Sequence, residues 1–217
     1  MRQHVLVWGS TIACLFIAAG GPLLSAEENA SDVLEKVRRK YDSIRDAELK
    51  FSQRVTFERT RLSQTIPGTL VMKKGNHYRL EVGEQTIVTD GVTVWSHSRG
   101  TNQVIIDRFK MSEGSLSPER ILTGTPEGFA ASILGNERLG STDVIALKLV
   151  PKDEQSFLTE LKLWIDHDTW FIRKAEIIDV SGKKTAYEIE DIKMNSGVSD
   201  TIFSYDPPEG VDVIDLR

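Results

Sequence analysis

The chain carries one cysteine among its 217 residues, and that residue, Cys14, falls inside the first apolar segment. No disulfide framework is possible, so a packed core must hold whatever fold forms. Groups suited to catalysis are scarce as well. Of four histidines, His77, His97 and His167 lie beyond the leading segment, and no two of them stand at metal-ligand spacing. Nucleophile elbow, phosphate loop, zinc-binding helix and dinucleotide fingerprint are all missing. With 27 basic against 32 acidic residues the net charge is −5, which argues against a nucleic-acid surface. Asp166-His167-Asp168 is the one cluster that invites an acid–base or metal reading. It occupies a tight hairpin turn, however, where aspartate is preferred for backbone reasons, and that is the reading taken. Glu188 and Glu190 share one strand face with Asp191 on the other, as a solvated face would have them. These absences describe a binding protein rather than an enzyme, with no cofactor and no metal.

Long apolar runs are lacking too, with one exception. Met1-Arg2 supplies a short positive start, and Val5 to Ala19 is mostly apolar before Gly20, Gly21 and Pro22. That run falls short of the ~20 apolar residues a membrane-spanning helix needs. Small residues at Ser25 and Ala26 suit cleavage before Glu27, so residues 1–26 read as a secretory signal peptide. Cys14 is a bystander: "TIAC" fits a lipid-attachment site poorly, and apolar sequence continues past it. Removing 26 residues from 217 leaves 191, residues 27–217, the length of one domain. Arg2 is the only charge in the leader, so the mature balance is 26 basic to 32 acidic, or −6.

What is present is periodicity. Val33, Val37, Tyr41 and Ile44 mark one face of an amphipathic helix over residues 30–44, with Asn29 or Ser31 as its cap. From residue 46 the period becomes two. Ala47, Leu49 and Phe51, then Val55 and Phe57, alternate with polar residues, and Gln53 interrupts the apolar face. Leu62, Ile66, Leu70 and Met72 follow, then Tyr78, Leu80 and Val82. Turn signals at Gly75-Asn76, Gly83-Glu84 and Asp90-Gly91 separate half-buried antiparallel strands. "VTVWSHS" and "NQVIIDRF" form a further hairpin. "VIALKLVP", "FLTELKLWID", "WFIRKAEIIDV", "KTAYEIEDIKM" and "TIFSYDPPEGVDVI" complete about eleven strands in one meander, the last ended by its double proline. An open sheet of that size twists and curls, so a barrel or half-barrel is expected, with one enclosed face. Trp95, Trp164 and Trp170 read as core aromatics or pocket lining.

"SLSPERILTGTPEGFAASILG", residues 115–135, interrupts the strands. Ser117-Pro118-Glu119 and Thr125-Pro126-Glu127 are two helix starts, and Gly124 and Gly135 are two stops. Two short helices are expected, carrying Leu116, Ile121 and Leu122, then Phe129, Ile133 and Leu134. Helices so short need an apolar surface beneath them. Physics alone allows a plug over a dry core or a lid over a cavity.

The order of "GTLVMKKGNHYRLEV", "IVTDGVTVWSHSRGTNQV", "LTELKLWID…IRKAEIIDVSGKKTAYEIEDIKMN" and "FSYDPPEGVDVI" resembles the LolA family, whose members carry outer-membrane lipoproteins through the periplasm. The resemblance spans nearly all of residues 27–217. It implies a mainly β fold with α: an incomplete, half-open antiparallel barrel of about eleven strands under a helical lid. It also implies a hydrophobic cavity for acyl chains, and so selects the lid over the plug. The expected lining is Leu116, Ile121, Leu122, Phe129, Ile133 and Leu134 from the lid. From the strands it is Phe51, Leu70, Met72, Leu80 and Trp95. Implied partners are lipoprotein acyl chains as cargo, an inner-membrane ABC-type releasing complex and a LolB-like outer-membrane receptor. A monomer without nucleic acid is expected. One position departs from the pattern: family members place Arg-Pro where this chain has Lys74-Gly75, and that Arg fastens the lid through backbone carbonyls. Lys74 is the expected latch here, a weaker one because an ammonium lacks the planar fork. A carrier of glycolipid or other free lipid, and a lipid-sensing module like the sigma-factor regulators, remain as alternatives.

Overall fold

The computed structural model describes residues 29–57, 62–110 and 128–217. The expected signal peptide and the expected helix with Leu116, Ile121 and Leu122 lie outside those residues.

The first element is α1, Ala30–Asp42, capped by Asn29, whose side chain accepts from the Asp32 amide at 3.0 Å. Val33, Leu34, Val37 and Tyr41 form its buried stripe, as the four-residue spacing requires. Twelve strands follow: β1 Asp46–Phe57, β2 Leu62–Lys73, β3 His77–Val82, β4 Gln85–Asp90, β5 Thr93–Ser98 and β6 Gln103–Arg108, then β7 Phe129–Leu139, β8 Thr142–Pro151, β9 Leu158–Asp166, β10 Ile172–Asp179, β11 Lys183–Met194 and β12 Asp212–Asp215. They form one sheet in the order β12-β6-β5-β4-β3-β2-β1-β11-β10-β9-β8-β7. β7 and β12 are its two edges, so the sheet is open.

Three expectations need correction. The strands make two meanders rather than one. The chain runs outward from β1 to β6, restarts at the far edge with β7, and returns until β11 pairs with β1. The terminal strand follows the double proline instead of preceding it. "TIF" lies in a 3₁₀ turn, Asp200–Phe203. β12 then pairs in parallel with β6 and is the twelfth strand among the described residues, in line with the half-open sheet of about eleven strands expected. Proline has no N–H to donate to a ladder, which suits Pro207-Pro208 to the connection.

The third correction concerns the expected second helix. Phe129, Ile133 and Leu134 lie on β7, a strand paired with β8 along its whole length. Gly135, at φ +143°, sits at a bulge between Ile133 and the Ala146 pairing rather than at a helix end. β8 is the reason. Val144, Ile145, Ala146, Leu147 and Leu149 are all at most 3% exposed, a strand buried on both faces that needs a neighbour on each side. Pairing therefore overrode the local helix signal.

The main core lies between α1 and the inner face of the sheet, around Leu147, Leu163, Ile165 and Ile172. Tyr41 meets Phe171 edge-on at 5.9 Å. Val144, Ala146 and Trp164 form a small second cluster.

Candidate functional site

Pairing register decides which residues share the inner face, and it can be followed across the sheet. Leu49 and Phe51 on β1 oppose Leu70 and Gly68 on β2. Leu70 opposes Leu80, Leu80 opposes Ile87, Ile87 opposes Ser96, and Ser96 opposes Ile105. Ile105 ends the row beside Ile214 of β12. In the other direction Gln53 opposes Tyr187, which opposes Ala175. Ala175 opposes Leu163, then Leu147, and finally Ile133 on β7.

Coverage along this face is uneven. Beneath α1 it is sealed, with Leu147 and Leu163 fully buried. On the β3–β6 arm it opens: Leu80, Ile87 and Val94 are half-buried, and Ile105 and Ile214 are each 37% exposed. The outer face of the same arm is better covered. Val88 and Val104 are fully buried there, beneath a C-terminal segment anchored at three points. Lys73 pairs with Asp200, the His77 ring meets Phe203 edge-on at 5.5 Å, and Tyr205 bonds His97. An apolar strip is thus left less covered on the concave side than on the convex one.

Phe51 is buried, and its ring lies over Gly68, where a Cβ would come within 2.4 Å of it. Leu70 is buried, while Met72, Leu80 and Phe129 pack partly buried against the same core. Ile133 is 37% and Leu134 50% exposed on the β7 edge. Trp95 does not join them. It opposes Val88 and Ile106, so its position lies on the outer face. Alternation within β5 puts Val94, not Trp95, on the inner side. Sequence reasoning missed Ile87, Val94, Ile105, Ile214 and Tyr187. Each is an ordinary strand residue, and only the register of its neighbours assigns it a face. Gln53, the break in β1's apolar alternation, lies 3.4 Å from the Tyr187 hydroxyl, to which its side-chain amide donates.

Lys74 holds α1. Its ammonium donates to the Asp42 carbonyl at 2.6 Å, at the helix's C-terminal end, and its amide donates to the Arg45 carbonyl at 3.0 Å. A cation there complements the helix dipole. Gly75 at φ +92° and Asn76 at φ +62° shape the turn. Proline, locked near −65°, cannot occupy position 75 in this conformation. Position 75 therefore requires a residue that can adopt a positive φ. Arg79 lies on the outer face, bonded to Glu81 at 2.8 Å.

Asp166 is part of a turn. Its carboxylate accepts from the Asp168 and Thr169 amides, both at 3.0 Å, and pairs with Arg173 at 2.7 Å. Burial works to raise its pKa, but those bonds together hold it below the usual carboxylate range. Glu188, Glu190 and Asp191 are exposed. An open depression of about 510 Å³ is lined by Asn136, Glu137, Arg138, Asp143, Val144 and His167, too polar for hydrocarbon. A cavity of about 70 Å³ lies at the Lys74 turn beside Tyr41 and Met72, small against the ~300–1,000 Å³ of common ligand clefts. The half-covered inner face is therefore the candidate site. Among the described residues no helix is long and apolar enough to cross a membrane.

A family model described as "Outer membrane lipoprotein carrier protein LolA" matches residues 42–206. An outer-membrane lipoprotein carrier protein of Pseudomonas aeruginosa (strain UCBPP-PA14) is 26% identical over 211 residues, 94% of this chain and 98% of its own length. A protein of the same name from Alcanivorax borkumensis is 26% identical over 131 residues, 60% of this chain. That match covers 61% of the Alcanivorax protein, less than two thirds of its length. Among solved structures, an uncharacterised conserved protein of Thermus thermophilus superposes with a TM-score of 0.58 at 14% identity. The superposition covers 86% of this chain and 98% of that one, a likeness of fold.

Proposed function

The chain belongs to the LolA family, and from that premise we propose that it is a periplasmic carrier. It holds the acyl chains of lipoproteins against the inner face of its sheet and moves them from the inner to the outer membrane. The observation that supports this is the β3–β6 arm, whose concave apolar strip from Leu80 to Ile105 is less covered than its convex side.

Such a carrier works by partitioning. Two or three acyl chains expose on the order of 45 methylenes, and at ~0.8 kcal/mol each their transfer into water costs about 35 kcal/mol. Moving them between a bilayer and an apolar protein face is close to neutral, so shielding suffices and no bond need be made or broken. An ABC-type inner-membrane complex supplies the driving force for loading. A LolB-like receptor that binds somewhat better receives the cargo. In this reading Phe129, Ile133 and Leu134 form one wall of the site, and Phe51, Leu70, Met72 and Leu80 form its floor. Leu116, Ile121 and Leu122, outside the described residues, are assigned to the lid in the same reading. Lys74 keeps α1 in place at the mouth.

The test is native mass spectrometry of the mature protein recovered from periplasm, together with a solubility assay in which it is mixed with a triacylated lipoprotein. The expected result is an acylated mass on the protein and cargo kept in solution, both reduced by Leu80→Gln with Ile105→Gln. The proposal fails if neither acylated ligand nor solubilised cargo is ever found. A free lipid or glycolipid mass in place of a lipoprotein would transfer the reading to that cargo class.

A further inference from the structure

The β1–β2 hairpin runs past β3 on one side, while β11 follows it to its end on the other. The β2–β3 ladder ends where Gly68 opposes Val82, while β2 itself begins six residues earlier. The hairpin therefore projects about 20 Å beyond that turn. Its inner face stays largely apolar to the end: Val55 and Ile66 are half-buried, then Phe57 is 49% and Leu62 66% exposed, directly opposite one another. Phe57 also opposes Lys183 at the start of β11. Beyond that residue, Val180 is 67% exposed, and its amide bonds the carbonyl of Phe157, itself 56% exposed. Four large apolar side chains from neighbouring turns thus reach solvent at one end of the sheet, opposite the Lys74 end. Large exposed apolar groups gathered in this way mark an interaction surface.

The charges beside them favour one occupant. Lys183 lies beside Phe57 on the same face, and Arg54 lies three residues before Phe57 on the opposite face of the hairpin, its guanidinium donating to the Thr65 hydroxyl at 3.3 Å, in a chain whose net charge is −5. Lys184 is paired with Glu176. Asp179 is engaged with the Ser181 and Lys183 amides and the Ser181 hydroxyl. Asp153 and Glu154, a few residues before Phe157, bound the patch on its other side.

We propose that this end is a membrane-docking lip: Phe57, Leu62, Val180 and Phe157 enter the interface of a phospholipid bilayer, while Arg54 and Lys183 meet anionic headgroups. Docking there would set the inner apolar face in line with the bilayer. The inference rests on the carrier reading but is tested apart from it.

The mature protein, without cargo, is floated with vesicles of phosphatidylcholine mixed with phosphatidylglycerol and with vesicles of phosphatidylcholine alone. Wild type is expected to float with the mixed vesicles and to do so less as salt rises. Phe57→Ser with Leu62→Ser should lower partitioning roughly thirty-fold, and Lys183→Gln about fivefold. Circular dichroism checks that both variants fold, as exposed sites allow. The proposal is overturned if wild type ignores the mixed vesicles, as a protein-only docking surface would, or if the double variant floats like wild type. Cargo retention by the double variant in solution separates loss of docking from failure of the carrier reading.

Discussion

Gly68→Ala is a small change with a large expected consequence. In an open strand this substitution removes glycine's entropic disadvantage and stabilises by about 0.5–1 kcal/mol. Here a Cβ would stand 2.4, 2.6 and 2.9 Å from three atoms of the Phe51 ring. The ring has little room to retreat. It is 6% exposed and meets Tyr187 edge-on, with centroids 5.9 Å apart. Overpacking of this kind costs about 1–3 kcal/mol. For a domain of this size each kcal/mol lowers Tm by roughly 2–4 °C. Thermal and denaturant unfolding of the mature protein should therefore show Gly68→Ala less stable than wild type. The sharper measurement is the cycle with Phe51→Ala. That change alone should cost about 3–5 kcal/mol. In its background Gly68→Ala should be neutral or stabilising, because the ring it strikes is gone, giving a coupling of about 1 kcal/mol or more. If Gly68→Ala leaves wild type unharmed, or the two changes simply add, Phe51 does not sit over Gly68 and the floor of the proposed site is misplaced.

Other expectations follow from the same geometry. Lys74→Met removes the bond to the Asp42 carbonyl and should cost about 1 kcal/mol, read as faster hydrogen exchange in the last turn of α1 with the sheet amides unchanged. Gly75→Pro cannot be accommodated at φ +92° and should cost about 1–3 kcal/mol by unfolding. Lys74→Arg with Gly75 retained should be tolerated. Asp166 has its pKa held down in the folded state. Its stabilisation is thus complete above the unfolded carboxylate value of about 3.9 and lost as pH falls through the folded value. Asp166→Asn should cost about 2 kcal/mol near neutrality and flatten the acid limb of a stability-against-pH curve, and an unchanged acid limb would refute the assignment.

Much of the architecture was legible because local signals agreed with one another. The four-residue spacing in residues 30–44 and the Asn29 cap yielded α1. Period-two alternation located β1 to β6 and β8 to β11, and Gly75-Asn76, Gly83-Glu84 and Asp90-Gly91 marked turns that exist. The failure at Phe129–Leu139 is informative. Thr125-Pro126-Glu127 is a strong local helix start, while Phe129, Ala131 and Ile133 also alternate as a strand does. Nothing within the segment could choose between them. The choice lay in β8, buried on both faces and needing a partner.

Composition and pattern by themselves determined that the chain, with its one cysteine, closes no disulfide within itself and relies on a packed core. They also determined a largely antiparallel sheet with one helix before it, because those properties depend on residues a few positions apart. Tertiary structure alone decided that β12 closes against β6 and that Lys74 binds α1. It alone placed Val94 inside and Trp95 outside. Those outcomes depend on pairing register between segments far apart in sequence, and a shift of one residue exchanges the two faces of a strand.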